Sequence, residues 1–204
     1  MRPQLSKLAA DIKACRICVE TPSGAPLPHE PNPVAVLSSK ATIAICGQAP
    51  GNKVNLSGVP FTDPSGERLR DWMGVTSEAF YNPDHFAIIP MGFCFPGNDA
   101  KGGDLRPRKE CRLQWHDSVF EAMPHIELKL LIGGSAQSYH LGRDAGKTVT
   151  ETVRNWRVFF ERNASIPMPH PSWRNTGWLK KNLWFERELL PVLREAVKKR
   201  ISVS

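Results

Sequence analysis

The 204-residue chain has no uninterrupted apolar run long enough to cross a membrane, which takes roughly 18 residues. Nor does an apolar core follow its first residues, Met1-Arg2-Pro3-Gln4, so no secretory signal is read and a cytoplasmic location is expected. Internal repeats and low-complexity tracts are absent. Acidic residues are in deficit, 20 against 27 Lys and Arg, which leaves a formal charge of +7. That imbalance favours a polyanionic partner and says little about fold. What is present argues for an ordered chain. Hydrophobic residues make up 41%, with six Trp and nine Phe, enough to exclude wholesale disorder. One domain over residues 1–204 is expected. Proline is plentiful, at 18 residues, so loops should be long and stiff.

Five cysteines are the composition's oddity. Cys15 and Cys18 form a C-x-x-C pair, Cys94 and Cys111 are separated by 16 residues, and Cys46 stands alone. In a cytosolic setting such spacing points to ligands rather than disulfides. A redox pair would call for a thioredoxin-like helix start, whereas a Pro-rich loop follows Cys18. Four thiolates could hold structural zinc or an iron–sulfur cluster, or remain buried free thiols; spacing alone does not choose. Cys46 ends the apolar run Thr42-Ile43-Ala44-Ile45-Cys46 and reads as core.

The apolar pattern alternates between strands and helices. Strands are predicted over 42–46, 86–89, 128–132 and near 166–168. Helices are predicted from Gln4 to Lys13, from an N-cap at Ser65, from Arg108 to Met123 with Leu113, Val119, Phe120 and Met123 inward, from Ser135, and from about Leu179 to Lys199 with Pro191 opening a new turn or a kink. Pro/Gly loops cover 21–33 and 95–107. This order predicts an α/β fold, a three-layer α/β/α domain on a mostly parallel four-stranded sheet. Ligands on such sheets bind beyond the carboxyl ends of strands, so the loops to watch are 47–63, 90–111, 133–135 and 169–178.

Two stretches fall short of a phosphate loop. Gly142 to Thr148 is one residue short and follows no strand directly; Gly47 to Lys53 lacks the spacing and the Ser/Thr. Five histidines, His29, His85, His116, His125 and His140, sit in no recognisable setting and read as surface or structural. His170 differs. It lies in Pro167-Met168-Pro169-His170-Pro171-Ser172-Trp173-Arg174-Asn175-Thr176-Gly177, where prolines fix the backbone and a polar, aromatic, basic loop follows.

Taken together, Gly47-Gln48-Ala49-Pro50-Gly51, then Gly58-Val59-Pro60-Phe61, then His170-Pro171-Ser172 resemble the uracil-DNA glycosylase superfamily. The likeness is greatest to its iron–sulfur branches, the fourth and fifth families, which pair an early C-x-x-C with a later cysteine pair as Cys15, Cys18, Cys94 and Cys111 do here. The stretch Lys129 to Gly142 is similar to that superfamily's strand–Gly–small-residue–helix segment. The resemblance runs from about residue 12 to 195.

The resemblance implies a monofunctional DNA-repair glycosylase that flips uracil, or another deaminated base, out of DNA and hydrolyses its N-glycosidic bond. It implies a structural 4Fe-4S cluster on the four cysteines, with zinc the lesser candidate, and a monomer that meets uracil-containing DNA and no membrane. Phe61 would stack on the base, and Gly47, Ala49, Pro50 and Gly51 would line its pocket, with Gln48 aligning water. His170 would donate a hydrogen bond to the base carbonyl through a neutral imidazole. Ala49 stands where the best-known members carry Asp, so Asp63, just after Phe61, becomes the candidate general base or sugar-cation stabiliser. The stretch Ile89 to Phe93 lacks the Asn that reads the uracil edge; Asn98, Asn52 or backbone groups would substitute. Ser172, Trp173, Arg174 and Asn175 would enter the minor groove and Lys180 would meet phosphate. The alternative is a protein that binds uracil-DNA without turnover and traps it, through covalent attack by His170.

Overall fold

Side-chain alternation along short strands decides the architecture. The computed structural model describes residues 3–202, so both ends of the expected 1–204 domain lie outside the described residues. In chain order the elements are α1 (Pro3–Lys13), α2 (Ile17–Glu20), β1 (Ile43–Cys46), α3 (Asn52–Ser57), α4 (Pro64–Met73), α5 (Ser77–Tyr81), β2 (Phe86–Ile88), α6 (Lys109–Ala122), β3 (Leu128–Ile132), α7 (Gly134–Leu141), α8 (Val149–Arg154), α9 (Trp156–Asn163), β4 (Ser165–Met168), α10 (Thr176–Lys181) and α11 (Leu190–Ile201). The four strands form one parallel sheet in the order β2-β1-β3-β4. Every strand residue except Lys129 is buried, as a sheet covered on both faces requires. Pro167 lies in β4, the edge strand, where a missing N–H costs least.

One face of the sheet carries Ile43, Ile45, Leu128, Leu130 and Ile132. It packs against Leu69, Trp72 and Met73 of α4, Trp156 of α9 and Leu193 and Val197 of α11. The other carries Ala44, Cys46, Ala87 and Leu131 against Leu5 and Ile12 of α1, Val119 of α6 and Ala136 of α7. The result is the expected three-layer α/β/α arrangement. Each fully buried Leu or Ile contributes about 1.5–3 kcal/mol of transfer free energy, so these two layers dominate folding.

Local chemistry shifts several boundaries. The α4 N-cap is Asp63, not Ser65: Asp63 Oδ1 accepts from Gly66 N–H at 3.1 Å and Pro64 occupies the first turn, where its fixed φ suits a helix start. Leu113, expected inward, is 73% exposed, because the sheet-facing stripe of α6 runs through Cys111, His116 and Val119 instead. The long C-terminal helix is broken. After α10 the chain turns at Asn182, whose Nδ2 donates to Trp178 O at 2.8 Å. A π-helical segment, Phe185–Leu189, then buries Phe185 edge-on against Trp72 before α11 begins. Pro191 sits in the first turn of α11 and opens it rather than kinking it.

Chain order also positions the site. From β1 the chain moves to β2 on one side, then crosses to β3 on the other. The carboxyl end of β1 is therefore the switch point of the sheet, where a crevice opens for a ligand.

Candidate active site

The crevice is present. A cavity of about 80 Å³ is walled by Gly47, Gln48, Ala49, Pro50 and Gly51 beyond β1, by Phe61 and Asp63 before α4, by Pro90 beyond β2, by Asp104, and by His170 beyond β4. Loops scattered over some 120 residues thus converge on one point, and most of the residues singled out for base binding and catalysis are among them.

Phe61 is held in a strained backbone. Its φ is +56°, a left-handed conformation that costs a non-glycine residue about 1–3 kcal/mol. Its carbonyl is clamped by Tyr81 Oη–H at 3.0 Å and Arg70 Nη1–H at 3.3 Å. Gly66 makes the clamp sterically possible, because a Cβ there would fall 1.9 Å from Phe61 O. The ring meets Phe80 edge-on at 5.8 Å, and its Cζ lies 3.7 Å from where a Gly47 Cβ would stand. It is a fixed flat surface over the first motif loop.

His170 is half-buried with a defined tautomer. Ser172 N–H donates to its Nδ1 at 3.2 Å, which makes Nδ1 an acceptor and places the proton of the neutral ring on Nε2. Burial lowers its pKa, against the opposing charges of Asp63 and Asp104, so the ring is neutral near pH 7. A neutral Nε2–H is a hydrogen-bond donor. Asn175, expected at DNA, instead turns inward: its Nδ2 donates to His170 O at 2.7 Å. Arg68 was not anticipated at all. Its Nη1–H donates to Ser172 O at 2.9 Å and ties α4 to the loop after His170. Beyond that buckle Trp173 is 71% exposed with Arg174 stacked over it at 5.9 Å, and Lys180 is exposed.

Asn98 does not line the cavity. Its Nδ2 donates to Asp104 Oδ1 at 3.1 Å, and the carboxylate is the group that reaches the wall. Asp104 escaped sequence reading because it sits in a Gly/Pro loop with no periodic pattern; its place in the strand-following stretch 90–111 was its one signal. Pro90 occupies the wall where an Asn was sought, and His116 holds its carbonyl at 3.0 Å.

A second cavity, of about 580 Å³, shares Gln48 with the first. Arg106, Arg108, Lys109, Arg112 and Lys147 line it, with hydroxyls from Ser135, Ser138 and Thr148, and no carboxylate is among its described lining residues. Arg108 is partly neutralised by Glu110 at 3.4 Å.

The cysteines also converge. Cys15, Cys18, Cys94 and Cys111 line one small cavity closed by Ile17, Pro33, Phe93 and Trp115. Trp115 Nε1–H donates to Cys15 Sγ at 3.4 Å and Phe93 N–H to Cys111 Sγ at 3.1 Å. Burial raises the thiols of Cys18, Cys94 and Cys111, Cys94 to about 12; Arg108 opposes this at Cys18 and the Asn32 backbone opposes it at Cys94. As the side chains stand, no three His, Cys, Asp or Glu among the described residues are grouped to hold a single metal ion. The donor set nevertheless fits an iron–sulfur cluster: four sulfurs on one cavity, each with an N–H or guanidinium partner. Cys46 is fully buried in the sheet, away from this cavity.

The chain is thus an α/β protein whose parallel sheet, covered on both faces, carries a small pocket at its switch point and a cationic chamber beside it. A model of the uracil DNA glycosylase superfamily matches residues 35–194, and the chain belongs to that superfamily. It is accordingly a DNA glycosylase, a hydrolase that acts on DNA. The match begins after Cys15 and Cys18, so the first cysteine pair lies outside it. No helix among the described residues is long and apolar enough to cross a membrane.

Proposed function

We propose that the chain is a monofunctional glycosylase that removes uracil, and other deaminated bases, from DNA. The observation that carries this reading is the convergence of Gly47–Gly51, Phe61, Asp63 and His170 on one cavity of about 80 Å³. The flipped base stacks on Phe61 while the Gly47–Gly51 loop approaches its edge. His170 Nε2–H bonds the base carbonyl as negative charge develops there, in a site where the donor is already oriented. Asp63, fixed by the start of α4, supplies negative charge beside the sugar as it gains cationic character. Pro90, with its carbonyl tied to His116, leaves base-edge recognition to backbone groups of the cavity wall. Trp173 and Arg174 fill the vacated stack, and the Arg106–Lys147 chamber receives flanking phosphates.

Cys15, Cys18, Cys94 and Cys111 would hold a 4Fe-4S cluster whose part is structural, clamping the N-terminal segment to the loop 94–111. Purified anaerobically, the protein is expected to be brown, with iron and sulfide in equal amounts. A colourless preparation with stoichiometric zinc would replace the cluster by zinc.

The function is tested on oligonucleotides carrying one deaminated base, in single strands and duplexes. Alkali-labile sites in multiple turnovers are expected for uracil. A denaturant-stable protein–DNA adduct in place of free product would make the chain a trap acting through His170.

A further inference from the structure

The pocket holds two carboxylates, and they are built differently. Asp63 is the N-cap of α4, with Oδ1 engaged by Gly66 N–H at 3.1 Å. It is half-buried and its position is set by the helix. Asp104 comes from the opposite side, on the loop between Cys94 and Cys111, and is exposed to water.

The loop that carries Asp104 is folded to aim it. Leu105 N–H donates to Gly97 O at 2.9 Å and Asp99 N–H to Gly103 O at 2.7 Å, so the segment closes as a short hairpin with Asn98 opposite Asp104. Asp99 Oδ1 fastens the tip through Lys101 N–H at 2.8 Å and Gly103 N–H at 2.9 Å. Asn98 Nδ2 then holds Asp104 Oδ1, leaving Oδ2 as the oxygen turned to the motif loop. It stands 3.5 Å from where a Gly51 Cβ would be. An oxygen with open lone pairs, facing the pocket from its wet side, is what a water-activating base requires.

We propose that Asp104 is the catalytic base of this site, taking a proton from the attacking water through Oδ2, while Asp63 acts as a fixed anion and Asn98 as the positioning residue for Asp104. The proposal rests on the glycosylase reading. In the step, a water O–H breaks and its proton passes to Asp104 Oδ2 as the oxygen bonds C1′ of the deoxyribose. The C1′–N bond breaks and its electron pair leaves on the base, against His170 Nε2–H. Asp104 then gives its proton to solvent and the base anion takes one, so that sugar hydroxyl and free base are the products. This answers the question raised by Ala49, which occupies the usual position of the water-activating Asp. The carboxylate is supplied from the cysteine loop instead.

The test is single-turnover excision from a deoxyuridine oligonucleotide, with DNA affinity and melting temperature measured in parallel. Asp104→Asn should slow excision about 100-fold or more, with DNA affinity within a few-fold of wild type. Asn98→Ala, which removes only the tether, should slow it less, about 10-fold, and keeps the proposal testable if the first variant folds poorly. An Asp104→Asn protein that is folded and excises at the wild-type rate overturns the proposal, as does a folded Asn98→Ala protein at that rate. Wild-type protein that excises no deaminated base overturns the glycosylase reading itself, and the two failures are distinct.

Discussion

Ser172 N–H donates to Nδ1 of His170 at 3.2 Å, and this single backbone contact determines which nitrogen of the ring faces the pocket with a proton. Removing the ring should remove the donor aimed at the leaving base. His170→Ala is expected to slow single-turnover excision by about 100- to 1,000-fold, with little change in DNA affinity. Ser172→Pro is a finer probe. The φ of Ser172 is −60°, which proline accepts, while the N–H is lost. Histidine nitrogen shifts should then show both tautomers, and excision should fall about 10-fold, since donation by the wrong nitrogen misplaces the catalytic hydrogen bond. A single unchanged tautomer would sink the assignment.

The clamp on Phe61 is a steric prediction. A methyl at Gly66 would lie 1.9 Å from Phe61 O, so Gly66→Ala must either push Phe61 out of its left-handed conformation or displace α4. A loss of about 3 kcal/mol is expected, read from the denaturation midpoint, together with loss of excision. Gly177→Ala is the control. It has open space at its Cβ position and lies within α10, so it should be neutral or gain up to about 1 kcal/mol. Equal effects from the two would show that the Phe61 contact does not matter.

Much of this was legible in the sequence, for reasons particular to each element. The strands were, because Ile43–Cys46 and Leu128–Ile132 lie in a sheet covered on both faces and so read as short apolar runs, interrupted only by the partly buried Lys129. Phe61, Asp63 and His170 were, because glycine and proline around them mark loops that follow strands. Asp104 was not, since its role depends on a hairpin closed by Asn98 and Asp99 across a loop without periodicity. The inward turn of Asn175 was hidden for a similar reason: an amide one turn past a histidine looks solvent-facing until the backbone curls. The break between α10 and α11 depends on tertiary packing of Phe185 against Trp72 and Trp178, and no local propensity announces it.

Two histidines outside the site should govern acid stability. Burial lowers His116 to about 4 and His140 to about 3; Arg112 adds to the shift at His116, and Lys129 and His116 add to that at His140. In the unfolded chain both titrate near about 6.5. Below that pH the unfolded state binds protons that the folded state refuses, so stability falls with pH between about 6.5 and 4 or 3. From pH 7 to 5 the loss should be about 2 kcal/mol for each ring, visible in urea midpoints. His140→Phe should flatten that dependence at little cost near neutrality, because His140 Nε2 has no hydrogen-bond partner and the ring already packs edge-on against Phe120 at 5.2 Å. An equally steep pH dependence in that variant would refute the attribution.

The cationic chamber makes a prediction about DNA rather than about the base. Arg106, Lys109 and Lys147 line it beside Gln48, the residue it shares with the base pocket, and in the proposed reading the phosphates flanking the flipped nucleotide run along them. Each phosphate neutralised releases condensed counterions, and log affinity then falls linearly with log salt. Replacing any one of the three by Ala should weaken binding to lesion and undamaged DNA alike and reduce the magnitude of the salt slope by about 1. Trp173 provides the contrast. It is exposed and its indole is uncharged, so Trp173→Ala should weaken binding to duplexes with an extrahelical base through lost stacking while leaving the salt slope intact. Titrations of these four variants across a salt series separate the two contributions. A salt slope that Arg106, Lys109 and Lys147 variants leave untouched would place the phosphate track on the Trp173–Lys180 side alone.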